Sequence, residues 1–165
     1  MFLVIYKYSA NLKKNQLNIW KNKILIMSEI TEAVKLFEKG YVCSQAVFAA
    51  FSPDLGVDKE QALKIGACFG SGMRKGEVCG ACTGALMALG LKYGESKEKS
   101  NESCERFLDE FEKENGSYIC NDLLGCDIRT PEGVEFAIEN NLFKEFCPKM
   151  VESAAKITKG IINEK

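Results

Sequence analysis

The sequence predicts an all-α fold, a compact single domain of about six helices joined by short loops. Two observations indicate this class. From Ser28 onward, apolar residues recur three and four positions apart, which is the period of a helix with one buried face. Residues that cap or stop helices, such as Asp58, Thr130 and Gly116, fall where these stretches begin and end. At 165 residues, the chain can bury one core but is short for two typical domains.

Three predicted helices precede a glycine-rich loop. Ser28 caps the first helix and Gly40 stops it, the second helix opens at Cys43, and Asp58 opens the third. Helical spacing then predicts which side chains face inward. They are Ile30, Ala33, Val34 and Phe37 in the first helix, Cys43, Ala46, Val47 and Phe51 in the second, and Ile65, Cys68 and Phe69 in the third.

The loop GSGMRKGEVCG leads into the second half of the chain. The helix CGACTGALMALGLKYG contains small residues that permit close approach of neighbouring backbones, and the amphipathic helix KEKSNESCERFLDEFEKENG ends at Gly116. CNDLLG reads as a short turn, Thr130 with Pro131 opens another helix, and Pro148 begins the last one. The inward-facing residues are Cys104, Phe107, Leu108 and Phe111 in the amphipathic helix, and Val151, Ala154, Ala155 and Thr158 in the last.

Residues 1–27 differ in composition from the rest of the chain. They are rich in Lys, Asn and Ile, contain the single Trp, and include no glycine or acidic residue. Their apolar residues precede the basic ones, which is the reverse of a signal peptide, and the apolar run is far short of the roughly 20 residues that span a bilayer. We expect a natural start at Met27 or else a poorly ordered arm, and a cytoplasmic protein that makes no membrane contact.

The composition excludes several classes of function. The chain has no histidine, which removes Ser-His-Asp and Cys-His nucleophiles, His-containing zinc sites and haem bound by the chain's own histidine. A net charge of −1 gives no basic excess of the kind that binds nucleic acid. Eight cysteines without a secretory signal indicate thiols that stay reduced.

The cysteines divide by their position on the predicted helices. Cys68 and Cys104 lie within helices on apolar faces, where a small buried side chain is the simplest interpretation. The remaining candidates each lie at or just before a predicted helix start, and Cys147 occupies the cap position before Pro148. They are Cys43, Cys79, Cys120 and Cys147. A helix N-terminus carries about half a positive charge, which stabilises a thiolate and predicts a lowered pKa.

Cys79 also forms a C-x-x-C pair with Cys82 at a helix start. Dithiol oxidoreductases use this arrangement, with one thiol attacking and the other resolving, but the βαβ setting that normally accompanies it is missing. A zinc ribbon would need a second copy of the pair, and none is present. The glycines before Cys79 do not form a phosphate loop, because no strand precedes them and no Gly-Lys-Ser/Thr ends the run.

These motifs together resemble a known family. The sequence CGACTG, with GYVCSQAV upstream and GSYICNDLLGCD and EFCPKMVESAA downstream, is similar to the C_GCAxxG_C_C family of redox-active proteins from about Ile30 to Ile162. The resemblance implies that Cys43, Cys79, Cys120 and Cys147 are the signature cysteines. A related domain of split-Soret cytochromes is associated with an iron–sulfur centre, although this chain has no haem attachment motif. Cys82 and Cys126 lie outside the family pattern.

Three functions remain open from the sequence. In the first, the four signature cysteines bind a [2Fe–2S] cluster or zinc, and the protein transfers electrons or senses redox state. In the second, Cys79 attacks a disulfide and a nearby cysteine such as Cys82 resolves it, without a metal. The third is a helical interaction module with structural thiols or structural zinc. The expected partner is a redox protein or a small thiol or disulfide, and a homodimer is left open.

Overall fold

The computed structural model describes residues 29–164, so the expectations for Ser28 and for residues 1–27 lie outside the described part of the chain. The all-α class is confirmed. Between residues 29 and 164 there is no strand, and the one isolated antiparallel bridge there joins Val78 to Ile119. The α-helices are α1 (residues 29–38), α2 (Cys43–Phe51), α3 (Lys59–Gly66), α4 (Gly80–Tyr93), α5 (Lys97–Asn115), α6 (Cys120–Leu124), α7 (Pro131–Glu139) and α8 (Cys147–Asn163). A 3₁₀ turn covers Ser52–Leu55, and two wide turns cover Gly72–Gly76 and Leu142–Phe146.

The described residues therefore contain more helices than the six or so that the sequence predicts. One difference is the CNDLLG segment, predicted as a turn, which forms the short helix α6. Contacts within the segment itself form this helix. The amide of Leu123 donates to the carbonyl of Ile119 at 3.0 Å, and Gly125 ends the helix in a left-handed conformation. A five-residue helix is too short to show a periodic apolar face in the sequence.

Most predicted helix ends are confirmed by their capping contacts. The Asp58 carboxylate accepts from the amides of Glu60 and Gln61 at 2.9 and 3.2 Å. The Thr130 hydroxyl accepts from the amide of Gly133 at 3.1 Å. These side chains satisfy amides that have no partner within the helix, which explains why the predicted starts of α3 and α7 are correct.

The core lies where α2 packs against α3, α4 and α8, and α5 covers α4 and α8. Small residues make this packing close. A Cβ atom at Gly84 would lie 2.5 Å from the Ser44 carbonyl oxygen, so only glycine allows α4 to approach α2 at this point. The Ser44 hydroxyl donates to the Gly66 carbonyl at 2.7 Å and joins α2 to α3. Phe107 and Phe111 of α5 are fully buried and stack with ring centroids 5.9 Å apart.

The predicted core positions Ile65 and Cys68 are wrong, and Cys104 is only partly correct. Cys68 is exposed and follows the end of α3, and Ile65 beside it is 53% exposed. The buried side of α3 instead carries Ala62 and Gly66, one turn apart, because Gly66 packs on the backbone of α2. Cys104 is half-buried.

Helix α8 carries the predicted inward face, since Val151, Ala154, Ala155 and Thr158 are all fully buried. It begins one residue earlier than predicted, at Cys147, so Pro148 is its second residue rather than its first. Near its end, the Lys159 ammonium pairs with the Glu29 carboxylate of α1 in a largely buried contact.

No helix within residues 29–164 has both the length and the apolar character required to cross a membrane.

Candidate functional site

Four cysteines from four separate helices line one cavity of about 280 Å³. They are the four that lie at helix starts, Cys43, Cys79, Cys120 and Cys147. The other lining residues are mostly apolar and comprise Phe37, Gly40, Tyr41, Val42, Ser71, Phe143 and Met150. The fold thus brings together thiols that are up to 104 positions apart in the chain. The cavity is partly open to solvent. Tyr41, which lies at its wall, is 37% exposed.

Cys43 is the first residue of α2 and its sulfur lies against the start of α4. The extended residue Val42 precedes it, and the Val42 amide donates to the side-chain oxygen of Gln45 at 3.1 Å, which fixes the start of the helix. A Cβ atom at Gly80 would lie 2.5 Å from Cys43 Sγ. Because Gly80 has no side chain, the Cys43 thiol can lie close to the residue that follows Cys79.

A pair of backbone hydrogen bonds joins the segment that carries Cys79 to the segment that carries Cys120. The amide of Cys79 donates to the Tyr118 carbonyl at 2.8 Å, and the amide of Cys120 donates to the Glu77 carbonyl at 2.7 Å. These two bonds flank the bridge between Val78 and Ile119. Each cysteine then opens a helix, Cys79 as the residue that precedes α4 and Cys120 as the first residue of α6.

Cys147 reaches the cavity from the C-terminal part of the chain. It follows the wide turn Leu142–Phe146, which begins after Asn141 in a left-handed conformation with φ 54°. This turn also supplies Phe143 to the cavity wall. The turn therefore directs both an aromatic side chain and a thiol toward the same space.

The glycine-rich loop closes the cavity near Cys43. Ser71, Met73 and Arg74 have positive φ values of 53°, 54° and 62°, which non-glycine residues adopt at a cost of about 1 kcal/mol each. Ser71 lines the cavity, and its amide interacts with the Cys43 sulfur. The strained backbone thus supplies a polar group that faces a cysteine.

Asn121 joins α6 to the segment that follows it and packs against the glycine-rich loop. Its side-chain amide donates to the Asp127 carboxylate at 2.9 Å, and its side-chain oxygen accepts from the amide of Ile128 at 3.1 Å. A Cβ atom at Gly76 would lie 2.1 Å from that oxygen, so the loop and Asn121 are in tight contact. This contact holds the segment that carries Cys120 against the loop.

The environment raises the pKa of the four cavity thiols, which corrects the prediction that the helix starts lower it. Burial, followed by the charge of Cys43, raises the pKa of both Cys120 and Cys147 to about 12. The interaction with the Cys79 thiol and then burial raise the pKa of Cys43 well above its ordinary value. The Cys43 interaction lowers the pKa of Cys79, but contact with Cys82 and burial outweigh it, so that pKa is raised as well. Burial and the neighbouring thiols therefore outweigh the backbone N–H groups that favour the thiolate at Cys43 and Cys79.

Cys82, a predicted catalytic residue, lies outside the cavity lining and is 0% exposed. Its thiol interacts with that of Cys79, which in turn interacts with Cys43. Cys126 is half-buried and close enough for its charge to raise the pKa of Cys120. All eight cysteines lie within the described residues, and all eight are free thiols.

Sequence reasoning missed several groups around the cavity. Tyr41 and Val42 immediately precede Cys43 in the GYVC motif, and their position next to a candidate ligand was a usable signal. Phe143 and the strained amide of Ser71 gave no comparable signal, because each depends on a turn whose geometry the residue pattern does not determine.

The comparisons with known proteins agree with this geometry at the level of the family. No curated protein and no solved structure matches the chain. One family model, described as "Putative redox-active protein (C_GCAxxG_C_C)", matches residues 41–161 and spans all four cysteines of the cavity. The chain therefore belongs to the C_GCAxxG_C_C family.

Proposed function

We propose that the four-cysteine cavity binds a [2Fe–2S] cluster, and that the protein transfers electrons or senses redox state through it. The observation that supports this function is the meeting of four thiols, each from a different helix, around one partly open space. A cluster of this type takes four cysteine thiolates, two at each iron, and supplies one-electron redox chemistry when bound. Cys43, Cys79, Cys120 and Cys147 are the proposed ligands.

The cavity offers the four cysteine thiols that a two-iron cluster takes. Within residues 29–164, no three Cys, Asp or Glu side chains are arranged so that they could hold one metal ion. A tetrahedral zinc site needs four ligands at about 2.0–2.3 Å from one point, so the cysteines would have to move inward to bind zinc. Two irons need only pairs of sulfurs on either side of a larger space, which agrees with a cavity of about 280 Å³.

The surrounding residues are suited to a charged centre. The amide of Ser71 interacts with the Cys43 sulfur, and the amide of Ala81 with the Cys79 sulfur. Such N–H groups stabilise negative charge on sulfur and raise the potential of a bound centre. Because the pKa of Cys120 and Cys147 is raised to about 12, few of these thiols are deprotonated near neutral pH, and a metal ion bound there would favour the thiolate form.

The experiment is isolation of the protein without oxygen, followed by a visible absorption spectrum and analysis of iron, sulfide and zinc. We expect a coloured protein with two irons and two sulfides per chain. Cys147→Ser should lose both, whereas Cys104→Ser, outside the cavity, should retain them. A colourless protein that binds no iron after anaerobic reconstitution would exclude the cluster, and bound zinc alone would favour a structural site.

A separate observation supports a second redox chemistry, thiol–disulfide exchange. The Cys79 thiol interacts with two other thiols, those of Cys43 and Cys82. Exchange needs only two such neighbours and access for a small reactant, and it requires no metal. We propose it as the chemistry of the metal-free protein. Its partner would be a small disulfide or another redox protein.

A further inference from the structure

Cys43, Cys79 and Cys82 form a row of thiols that runs from the cavity into the core. Cys79 lies in the middle and interacts with the other two. Accessibility decreases along the row, because Cys43 is half-buried, Cys79 is 6% exposed and Cys82 is 0% exposed. A reactant in the cavity can therefore reach the first two thiols, but the third can react only with a neighbouring cysteine.

The backbone arrangement suits two alternative disulfides at Cys79. Cys79 immediately precedes α4 and Cys82 is the third residue of the helix, so one helical turn joins them. On the other side, Cys43 Sγ packs over Gly80, the residue next to Cys79, in the space that a Cβ atom would fill. Cys79 can therefore pair with a thiol of its own helix or with the thiol that opens α2.

We propose that in the metal-free protein these three cysteines act as a directional relay that reduces small disulfides. Cys43 is the first nucleophile, Cys79 the second and Cys82 the last. This relay rests on the second proposed chemistry, thiol–disulfide exchange, and does not require the cluster proposal to be correct. It also reassigns the first attack, which the sequence predicts for Cys79.

Each step of the relay exchanges one disulfide for another. The Cys43 thiolate attacks a disulfide RSSR, which forms Cys43–S–S–R and releases RSH after protonation. Cys79 then attacks the Cys43 sulfur, which forms the Cys43–Cys79 disulfide and releases the second RSH. Cys82 attacks the Cys79 sulfur, which forms the Cys79–Cys82 disulfide and frees Cys43. The net reaction oxidises two thiols of the protein and reduces RSSR to two RSH.

The cavity defines the substrate class. Its volume of about 280 Å³ lies at the small end of the range for ligand sites, so a low-molecular-weight disulfide fits and a protein disulfide does not. Its wall includes Phe37, Tyr41, Phe143 and Met150, which favour apolar or aromatic substituents over charged ones. Because Cys43 and Cys79 are also proposed cluster ligands, relay activity and cluster binding exclude each other.

The test uses reduced, metal-free protein in which Cys68, Cys104 and Cys126, all outside the cavity lining, are changed to Ser. The probe is 2,2′-dithiodipyridine, a small aromatic disulfide whose reduced product absorbs light. Samples are quenched with acid over time, the remaining thiols are alkylated, and linked peptides are identified by mass spectrometry. We expect a mixed disulfide on Cys43 first, then the Cys43–Cys79 disulfide, and finally the Cys79–Cys82 disulfide.

Single variants separate the steps. Cys82→Ser should stop at the Cys43–Cys79 disulfide, Cys79→Ser should stop at the mixed disulfide on Cys43, and Cys43→Ser should slow product release about tenfold or more. Circular dichroism shows whether each variant is folded, and the time course of the parent protein tests the order without any cavity substitution. A first mixed disulfide on Cys79, Cys120 or Cys147, or a final product that lacks Cys82, would overturn the relay. Because metal is absent throughout, that result would leave the cluster proposal untouched.

Discussion

The sulfur of Cys43 occupies the space directly beside Gly80, where a Cβ atom would lie only 2.5 Å from it. The signature C-G-A-x-x-G therefore has a steric basis at its first glycine. Cys79 supplies one thiol, and the absence of a side chain on the next residue admits a second thiol from α2. Its second glycine, Gly84, acts in the same way on the backbone of α2.

We expect Gly80→Ala to displace the Cys43 sulfur from the cavity. The new methyl group would overlap Sγ, and the Phe69 carbonyl oxygen at 3.0 Å limits movement on the other side. Overpacking of this kind costs about 1–3 kcal/mol of unfolding free energy. Urea unfolding should show that loss, and reconstitution with iron and sulfide should give a reduced yield of bound iron.

Gly90→Ala is the matched control in the same helix. Apart from the backbone of its own helix, no atom of the described residues lies within 4 Å of a Cβ atom at Gly90, and an added methyl group improves helix propensity by up to about 1 kcal/mol. This variant should be as stable as the parent or more so, and it should keep its iron. Equal losses in the two variants would show that the Cys43 contact is unimportant.

The raised thiol pKa values predict slow alkylation of the cavity cysteines in metal-free protein. A pKa of about 12 at Cys120 and Cys147, compared with the ordinary 9.0, lowers the thiolate fraction near pH 8 about a thousandfold. Iodoacetamide should therefore modify exposed Cys68 first, and the rate at Cys147 should continue to rise well above pH 9. Peptide mapping after timed alkylation measures both, and a plateau at Cys147 by pH 9 would contradict the shift.

The raised pKa values of Cys120 and Cys147 also make the free energy of unfolding depend on pH. Below pH 9 both the folded and unfolded chains keep these protons, so the stabilisation is fully present. Between pH 9 and about 12 the unfolded chain loses them first, and the folded state should lose stability over this interval. Denaturant unfolding of metal-free protein at several alkaline pH values, compared with Cys120→Ala, isolates this contribution.

Asn121→Ala should loosen the attachment between α6 and the segment that follows it. The substitution removes hydrogen bonds to Asp127 and to the amide of Ile128, each with a net value of about 0.5–1.5 kcal/mol. We expect a loss of about 1–2 kcal/mol in unfolding free energy and faster alkylation of Cys120. Asn140→Ala is the control, because its side chain is exposed and donates only to the Phe136 carbonyl of its own helix.

The sequence was sufficient to predict the helices with strong periodicity and caps, and it singled out the four cysteines that line the cavity. Asp58 and Thr130 cap their helices through local contacts, which a residue pattern can reveal. The position of Cys68 depended instead on which face of α3 meets α2, and Gly66 rather than Ile65 determines that face. A hydrophobic pattern does not show that a glycine is the contact point.

The pKa directions at the site could not be obtained from sequence for a related reason. The helix-start argument treats each cysteine separately, and for one thiol it is physically sound. Once the fold places Cys43, Cys120 and Cys147 around one apolar cavity, burial and mutual repulsion become the larger effects. These effects depend on contacts between distant segments, including the bridge between Val78 and Ile119.

Lys159→Ala should produce the largest stability loss of the substitutions away from the cavity. The Lys159 and Glu29 side chains are 10% and 5% exposed, and their ion pair joins the start of α1 to the end of α8. Removal of the ammonium group takes one hydrogen-bond partner from a buried carboxylate, and a hydrogen bond to a charged group typically contributes about 1.5–3 kcal/mol. Lys156→Ala, on the same helix, removes only an exposed pair with Glu152 and should cost about 0.5 kcal/mol or less.

Because α1 leads into Tyr41 and α8 begins at Cys147, urea unfolding followed by iron analysis would show whether this distant pair also maintains the cavity. Similar stability in the two variants would mean that the Glu29 contact contributes little to the fold.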